Sequence, residues 1–323
     1  MKSHYKILVT GCIGFIGFHV VNKLIKKGHI VYGIDNIDNY YDVNLKKSKL
    51  KLLKKNKNFF FRKIDISKKK QIDHFLQKIK IDSILNLAGQ AGVRYSVKNP
   101  RKYYESNIEG FFNLIEIARK KKVEHFISAS SSSVYGENKT LPFKEHHPVD
   151  NIIQFYAASK RTNEIIGQVY SKVYNMKFTF LRFFTVYGPW ARPDMSLGYF
   201  VSNILKKKRI NVYNMGQHKR DFTYVDDIAN GTLNAIFRKN KKNFQIYNLG
   251  NGKKIPLMSY IRILEKKLGI KAKISFQKLQ LGDVKDTWSC IKKSKKELSY
   301  KPKINIEQGL ENYIKWYRSY YKV

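Results

Sequence analysis

The opening forty residues restrict the fold more than any other part of the chain. Lys6-Ile-Leu-Val-Thr10 is a short apolar run that ends in Gly11-Cys12-Ile13-Gly14-Phe15-Ile16-Gly17. Phe18, Val20, Val21, Leu24 and Ile25 then recur at helical spacing up to Lys26-Lys27-Gly28, a basic last turn with a terminating glycine. Ile30 to Asp35 reads as a second strand, which places Asp35 18 residues past Gly17. Strand, glycine turn, helix, strand and acid in this order predict a dinucleotide-binding unit. Gly11, Gly14 and Gly17 allow a tight turn and close approach of a pyrophosphate to the helix N-terminus, whose dipole favours it. Phe15 and Ile16 lie between them. The spacing is GxxGxxG rather than GxGxxG. An acid at the end of the second strand accepts from ribose hydroxyls and repels a 2′-phosphate, so Asp35 favours NAD over NADP. The plainer role for Asp35 is a strand-end cap.

The alternation continues. Phe59–Asp65, Ser83–Leu87, Glu124–Ser130 and Lys177–Phe184 read as strands. Gln71–Ile79, a long Tyr104–Lys120 and a segment around Tyr156 read as helices. This predicts an α/β, Rossmann-like, doubly wound parallel sheet with ligands across the carboxyl ends of its strands. Past Phe184 the character changes to a Pro/Gly/aromatic loop, Val186 to Met195. Shorter elements follow: a helix near Phe200–Lys206, a hairpin-like Val212-Tyr213, and a terminal helix over about Ile306–Tyr320. The organisation expected is a dinucleotide-binding domain over 1–185 and a smaller C-terminal α/β substrate lobe over 186–323. Segments around 222–250 are expected to return to the first domain.

Charge is the most conspicuous bulk property, at +39 from 63 basic and 24 acidic residues. Of the basic residues 51 are Lys and 12 Arg, in runs such as Lys68-Lys69-Lys70 and Lys206-Lys207-Lys208 at helix ends and turns, beside abundant Asn and Ile. Coding bias explains that scatter as well as a binding face does, so no specific nucleic-acid partner is expected. Two cysteines, Cys12 and Cys290, provide no disulfide framework. The eight histidines lack metal-ligand spacing, and no metal is expected. No apolar run reaches about 18 residues. Met1 to Tyr5 leads straight into a strand without an apolar leader. A soluble, cytoplasmic protein with no membrane partner is expected.

The chemistry points to Phe155-Tyr156-Ala157-Ala158-Ser159-Lys160. On a helix, Tyr156 and Lys160 share a face one turn apart. An ammonium that close favours phenolate, making the tyrosine a usable base below its ordinary value of about 10. By itself YxxxK is more often a core tyrosine beside a solvated lysine. Here it comes with the glycine turn and with Ser131, at a strand end 25 residues upstream.

These features together resemble the extended short-chain dehydrogenase/reductases. Finer words resemble the UDP-glucuronate 4-epimerases: Gly17-Phe18-His19-Val20, Asp35-Asn36, Tyr40 to Lys46, Gln90 to Ser96, Ser130 to Gly136, Arg182 to Trp190, and Arg220-Asp221-Phe222-Thr223-Tyr224. The likeness runs from residue 5 to Trp316-Tyr317. It implies cofactor contacts from Asn36, Lys46, Asp65, Ile66, Leu87, Ala88 and Gln90, besides the glycine turn, Asp35, Tyr156 and Lys160. It also implies a homodimer through the Tyr104–Lys120 and Asn163–Tyr174 helices. Departures are Asn86 where His is usual, Gly89 and Cys12 where Ala is usual, and Leu281 where Pro is usual. Asn86 and Gly89 are expected to line the cofactor.

The reaction implied is inversion at sugar C4 through a ketone. Tyr156 is the base, Ser131 bonds O4 and relays the proton, and Lys160 holds the phenolate and the nicotinamide ribose. Ser132, Ser133 and Thr185 are expected at the uronate carboxylate as neutral donors. Related 4,6-dehydratases carry an Asp-Glu pair at 132–133, and uronate decarboxylases carry Glu at the second position. Serines at both disfavour these reactions. Arg220 is the expected diphosphate ligand, its donor fork suiting the group. Asp283 is the expected ribose acceptor, and Arg192 and Arg94 are candidates for the substrate's anionic groups. The leading alternative is a 4-epimerase for UDP-glucose or UDP-N-acetylglucosamine. A binding-only relative is disfavoured by the intact Tyr156, Lys160 and Ser131.

Overall fold

The computed structural model describes residues 4–238 and 242–323. Strand β1 (Lys6–Thr10) turns through the glycines into helix α1 (Phe15–Lys26), and β2 (Ile30–Asp35) returns parallel to β1, with Thr10 beside Ile34. Phe15, Phe18, Val21, Leu24 and Ile25 form the buried stripe of α1, matching the spacing in the sequence. Then come α2 (Val43–Leu53), β3 (Phe59–Lys63), α3 (Lys69–Leu76) and β4 (Ser83–Asn86). Next are the short α4 (Val93–Lys98) and α5 (Pro100–Tyr103), a π-helical Tyr104–Glu109, and α6 (Gly110–Lys120). Strand β5 (His125–Ser131) runs into a 3-10 turn at Ser132–Tyr135, and α7 (Phe155–Val173) leads to β6 (Phe178–Phe183).

After β6 the chain leaves the main sheet and returns to it once. The elements are β7 (Thr185–Tyr187), α8 (Ser196–Leu205), β8 (Arg209–Val212), β9 (Lys219–Arg220), β10 (Phe222–Tyr224) and α9 (Val225–Phe237). They are followed by β11 (Phe244–Leu249), β12 (Ile255–Pro256), α10 (Leu257–Leu268), β13 (Lys273–Phe276), α11 (Lys292–Leu298) and α12 (Ile306–Tyr321). The main sheet has seven strands in the order β11-β6-β5-β4-β1-β2-β3, and every pairing in it is parallel. All of β5 and β6 is buried, as expected for central strands covered on both faces. The order reverses between β1 and β4, so a crevice opens at their carboxyl ends. Strand β11 joins the sheet beside β6, and α9 packs on α1.

Three expectations are corrected. Val212-Tyr213 is not a hairpin: β8 pairs in parallel with β13, because the turn at Asn214–Gly216, with Asn214 and Met215 at positive φ, leads the chain on to β9. The Tyr104–Lys120 helix is not uniform, since its first six residues are π-helical. The helix expected at Gln71–Ile79 covers Lys69–Leu76.

Candidate active site

A cavity of about 350 Å³ lies at the carboxyl ends of the strands. One end is the glycine turn. Gly11 has φ 65°, and a Cβ there would sit 2.7 Å from the Ala88 nitrogen; one at Gly17 would sit 2.0 Å from the Gly11 oxygen. Helix α1 has no side-chain cap at Gly14, so its first amides are left for an anion. Behind the turn, Thr10 Oγ1 donates to Asn86 Oδ1 at 2.6 Å and accepts from the Ala88 amide at 3.1 Å. Asn86 therefore braces the turn and is not part of the cavity wall, contrary to expectation, whereas Gly89 is.

Asp35 ends β2, nearly buried, and accepts from the Ile37 amide at 2.8 Å. Burial pushes its carboxyl up; the Ile37 bond and the charges of Lys46 and Lys49 work against that shift. Lys46 lines the cavity, donates to the Asp38 carbonyl at 2.5 Å and stands 4.5 Å from the Tyr41 ring centre. Lys49 is completely buried, reaches the Tyr41 hydroxyl at 3.3 Å, and is pulled down to about 7 by burial. Asn36 donates to Asp65 at 2.9 Å. Burial opposes ionisation of Asp65, but bonds from Asn36 and Ser67 outweigh it and hold the carboxyl below its usual range. Phe15, Ile16, Ile66, Leu87, Ala88 and Gln90 complete this half of the wall. The Gln90 side-chain nitrogen is buried without a partner. Room at the glycines, uncapped amides, a carboxylate at the end of β2 and an unused donor together fit a dinucleotide.

At the other end, Gln154 caps α7 through the Ala157 amide at 2.7 Å. The helix then brings Tyr156 and Lys160 into the wall beside Ser131, the last residue of β5. Burial pushes the Tyr156 phenol up, while a hydrogen bond with Ser131 and the charge of Arg192 pull it back. Lys160 donates to the Ala129 carbonyl at 3.1 Å, lies 6.0 Å from the Tyr156 ring centre, and is lowered to about 8 by burial. The shared face read from the spacing is present. The charge of Arg192 also bears on the phenol.

Sequence reasoning missed Asn107. Its side chain accepts from the Gln90 amide at 2.7 Å and donates to the Gln90 carbonyl at 3.0 Å and to Ser159 Oγ at 2.9 Å. The π-helical segment carries this residue, and extra helical residues of this kind are frequent at functional sites. A regular helical pattern contains no signal for it. The layer under Ser131 was also missed. Arg182, on β6, donates twice to Glu164 at 2.8 Å, and Ser130 Oγ donates to the same carboxylate at 2.7 Å.

Thr185 and Arg192 line the cavity. Ser132, Ser133, Arg94, Arg220 and Asp283 are outside its lining. Ser133 stays close to Ser131, its amide donating to Ser131 Oγ at 3.2 Å. Arg220 and Asp283 pair with each other at 2.9 Å, and Arg220 also donates to the carbonyls of Val284 and Lys285, both at 2.6 Å. Arg94 stacks on Tyr213, 4.6 Å from its ring centre. Among the described residues no group of three or more His, Cys, Asp or Glu could hold a metal, and no helix is long and apolar enough to cross a membrane.

The pattern of the NAD dependent epimerase/dehydratase family matches residues 7–250. The chain belongs to this family. Relatives match over nearly the whole chain. Protein CapI of Staphylococcus aureus is 41% identical, covering 98% of this chain and 99% of the relative. UDP-glucuronate 4-epimerase 2 of Arabidopsis thaliana is 40% identical over 99% of this chain and 77% of the relative. The crystal structure of UDP-glucuronic acid 4-epimerase from Bacillus cereus, in complex with UDP-glucuronic acid and NAD, superposes with a TM-score of 0.92 at 34% identity, covering 98% of this chain and all of that one.

Proposed function

We propose that this family member is a UDP-glucuronate 4-epimerase, interconverting UDP-glucuronate and UDP-galacturonate. The observation that carries the reading is the distribution of acids around the cavity. Its lining carboxylates, Asp35, Asp38 and Asp65, all belong to the cofactor half, while the Tyr156 half offers Ser131 and Thr185 with Ser133 beside them. That end has a base and neutral donors, but no second acid to drive dehydration.

Gly11, Gly14, Gly17, Asp35, Lys46, Gln90 and Lys160 would hold NAD, which supplies a hydride acceptor that is restored in each cycle. Tyr156 takes the proton from the C4 hydroxyl, and Ser131 bonds the same oxygen and relays the proton. Thr185, Ser132 and Ser133 hold the sugar carboxylate. The ketone at C4 makes the substrate a β-keto acid, which loses CO2 once the carboxylate C–C bond aligns with the carbonyl π system. Those three donors keep it out of that alignment while the ring turns over. Arg192 binds an anionic part of the substrate, and Arg220 and Asp283 bind the nucleotide once their mutual pair opens.

The test is to incubate the purified protein with UDP-glucuronate, UDP-glucose and UDP-N-acetylglucosamine without added cofactor and read the products by NMR. UDP-galacturonate is the expected product. Preference for UDP-glucose or UDP-N-acetylglucosamine would shift the assignment to a neutral-sugar epimerase. Asp35→Ala should weaken NAD binding by about 1–3 kcal/mol through loss of a buried ribose bond, as measured by calorimetry. A strict requirement for NADP would sink the assigned role of Asp35.

Thr185→Val keeps the shape and removes one carboxylate donor, costing about 1–3 kcal/mol of uronate binding or transition-state stabilisation. The variant should release CO2 and form UDP-pentose where the decarboxylated ketone takes its hydride back, and UDP-4-keto-pentose with an equal amount of accumulated NADH where that ketone leaves early. Normal turnover with no CO2 or NADH would remove Thr185 from this role.

Residues 1–185 act in this reading as the cofactor domain and 186–323 as mainly the sugar-nucleotide lobe, in a cytoplasmic enzyme. The pairing surface is the α6/α7 face, where Phe112, Ile165, Val169 and Val173 are exposed. A homodimer should be seen by analytical ultracentrifugation, and Val169→Lys should dissociate it.

A further inference from the structure

Arg192 enters the cavity wall from the loop after β7, and its guanidinium is already engaged. Its Nε donates to Asp194 Oδ1 at 3.0 Å and its Nη2 to Asp194 Oδ2 at 2.9 Å. Two-point pairing of this kind sets the plane of the fork as well as neutralising its charge. Neither bond uses Nη1. A second support comes from the cofactor domain. The Tyr40 hydroxyl, on the segment after β2, donates to Asp194 Oδ2 at 3.3 Å, and the guanidinium carbon lies 5.3 Å from the Tyr40 ring centre. Tyr40 is itself held in place. It packs on Tyr95 at 4.8 Å, and a Cβ on Gly92, at φ 114°, would come within 2.8 Å of its hydroxyl. The ring contacts continue from Tyr95 to Tyr103 and from Tyr103 to Tyr156. The side chains of Arg192 and Asp194 are 17% and 35% exposed, so this is a partly sheltered pair that also has a third member, unlike a free surface contact.

We propose that Asp194 and Tyr40 are positioning residues that hold Arg192 against the cavity wall with its Nη1 edge left for an anionic group of the substrate. A guanidinium held in this way has less rotamer freedom to lose when substrate arrives, so the benefit falls on binding rather than on the chemical step. The assignment rests on the reading of Arg192 as a substrate ligand. Asp194→Asn keeps the size of the side chain but removes the charge and one of the two acceptors. Tyr40→Phe removes only the bridging hydroxyl.

The experiment measures KM and kcat for UDP-glucuronate in Asp194→Asn, Asp194→Glu, Tyr40→Phe and Arg192→Met, with bound NAD and circular dichroism recorded for each. Asp194→Asn should raise KM about tenfold and Tyr40→Phe about threefold, with kcat within about threefold of the parent and NAD content unchanged. Asp194→Glu should recover part of the loss. If Arg192→Met raises KM while Asp194→Asn leaves it unchanged or lowers it, the positioning role is wrong and the substrate role of Arg192 stands. If Arg192→Met leaves KM unchanged, the reading of Arg192 itself fails. A fall in kcat alone, or loss of bound NAD from Asp194→Asn, would also overturn the proposal.

Discussion

Replacing Tyr156 with phenylalanine is expected to lower kcat about a hundredfold or more, with little change in substrate affinity. The substitution removes one oxygen and leaves the ring, whose edge-on contact with Tyr103 spans 6.1 Å. Binding contacts therefore survive while the phenol in the wall beside Ser131 is lost. Burial holds this phenol above its ordinary value, and the partial relief comes from Ser131 and Arg192. Ser131→Ala should therefore move the alkaline-favouring limb of the rate profile to higher pH, because a group that lowers the phenol is gone. Steady-state kinetics with UDP-glucuronate, paired with equilibrium binding of UDP, check both statements. Near-normal turnover in Tyr156→Phe would eliminate the residue as the base.

The second large effect is expected in stability, at Glu164. Its carboxylate is fully buried and accepts two bonds from Arg182 at 2.8 Å and one from Ser130 at 2.7 Å, with Arg161 adding a contact at 3.2 Å. Arg182 is 1% exposed and also lies 4.8 Å from the Tyr135 ring centre. Glu164→Ala would leave that guanidinium in the interior without its counter-ion, which costs about 3–5 kcal/mol. Against a total stability of about 5–15 kcal/mol this is a large fraction. Denaturant unfolding should show it, and the paired replacement Glu164→Met with Arg182→Met should recover much of it, because both charges then leave together. A loss under about 1 kcal/mol in Glu164→Ala would mean that water or another group takes over the pairing. Since Ser130 precedes Ser131, a folded variant of this kind should also lose activity.

The features legible in the sequence are those whose partners are close along the chain. The glycine turn, the α1 stripe and the Tyr156–Lys160 spacing depend on contacts within a few residues, and alternation of apolar runs is sufficient for a parallel sheet. What was not legible depends on distant partners. Nothing in Arg220 or Asp283 taken singly says that they pair across 63 residues. The parallel β8–β13 pairing joins segments separated by two helices and four strands, so a strand pattern at Val212 invites a hairpin that the fold does not make. Lys49 falls on α2, where lysines at 46, 47, 49 and 51 look alike, yet only 46 and 49 turn inward. Asn107 needed a local change of helical pitch. The neutralisation of Arg192 lay two residues away in Asp194, but it became meaningful only when Tyr40 was seen to approach from the other side.

The position of β11 has a consequence for biosynthesis. The strand that completes the main sheet beside β6 lies at residues 244–249, after the chain has built β7 to β10 and α9. A ribosome that has just released β6 must add 66 further residues, from 183 to 249, before that edge can be paired. At about 5–20 residues per second this takes roughly 3–13 s, during which the backbone edge of β6 and the rings of Phe178 and Phe180 lack their final neighbour. A nascent chain truncated at residue 185 should therefore be prone to edge-to-edge association. The seven-stranded sheet is thus not contiguous as a folding unit, and its last strand emerges only with the second half of the protein.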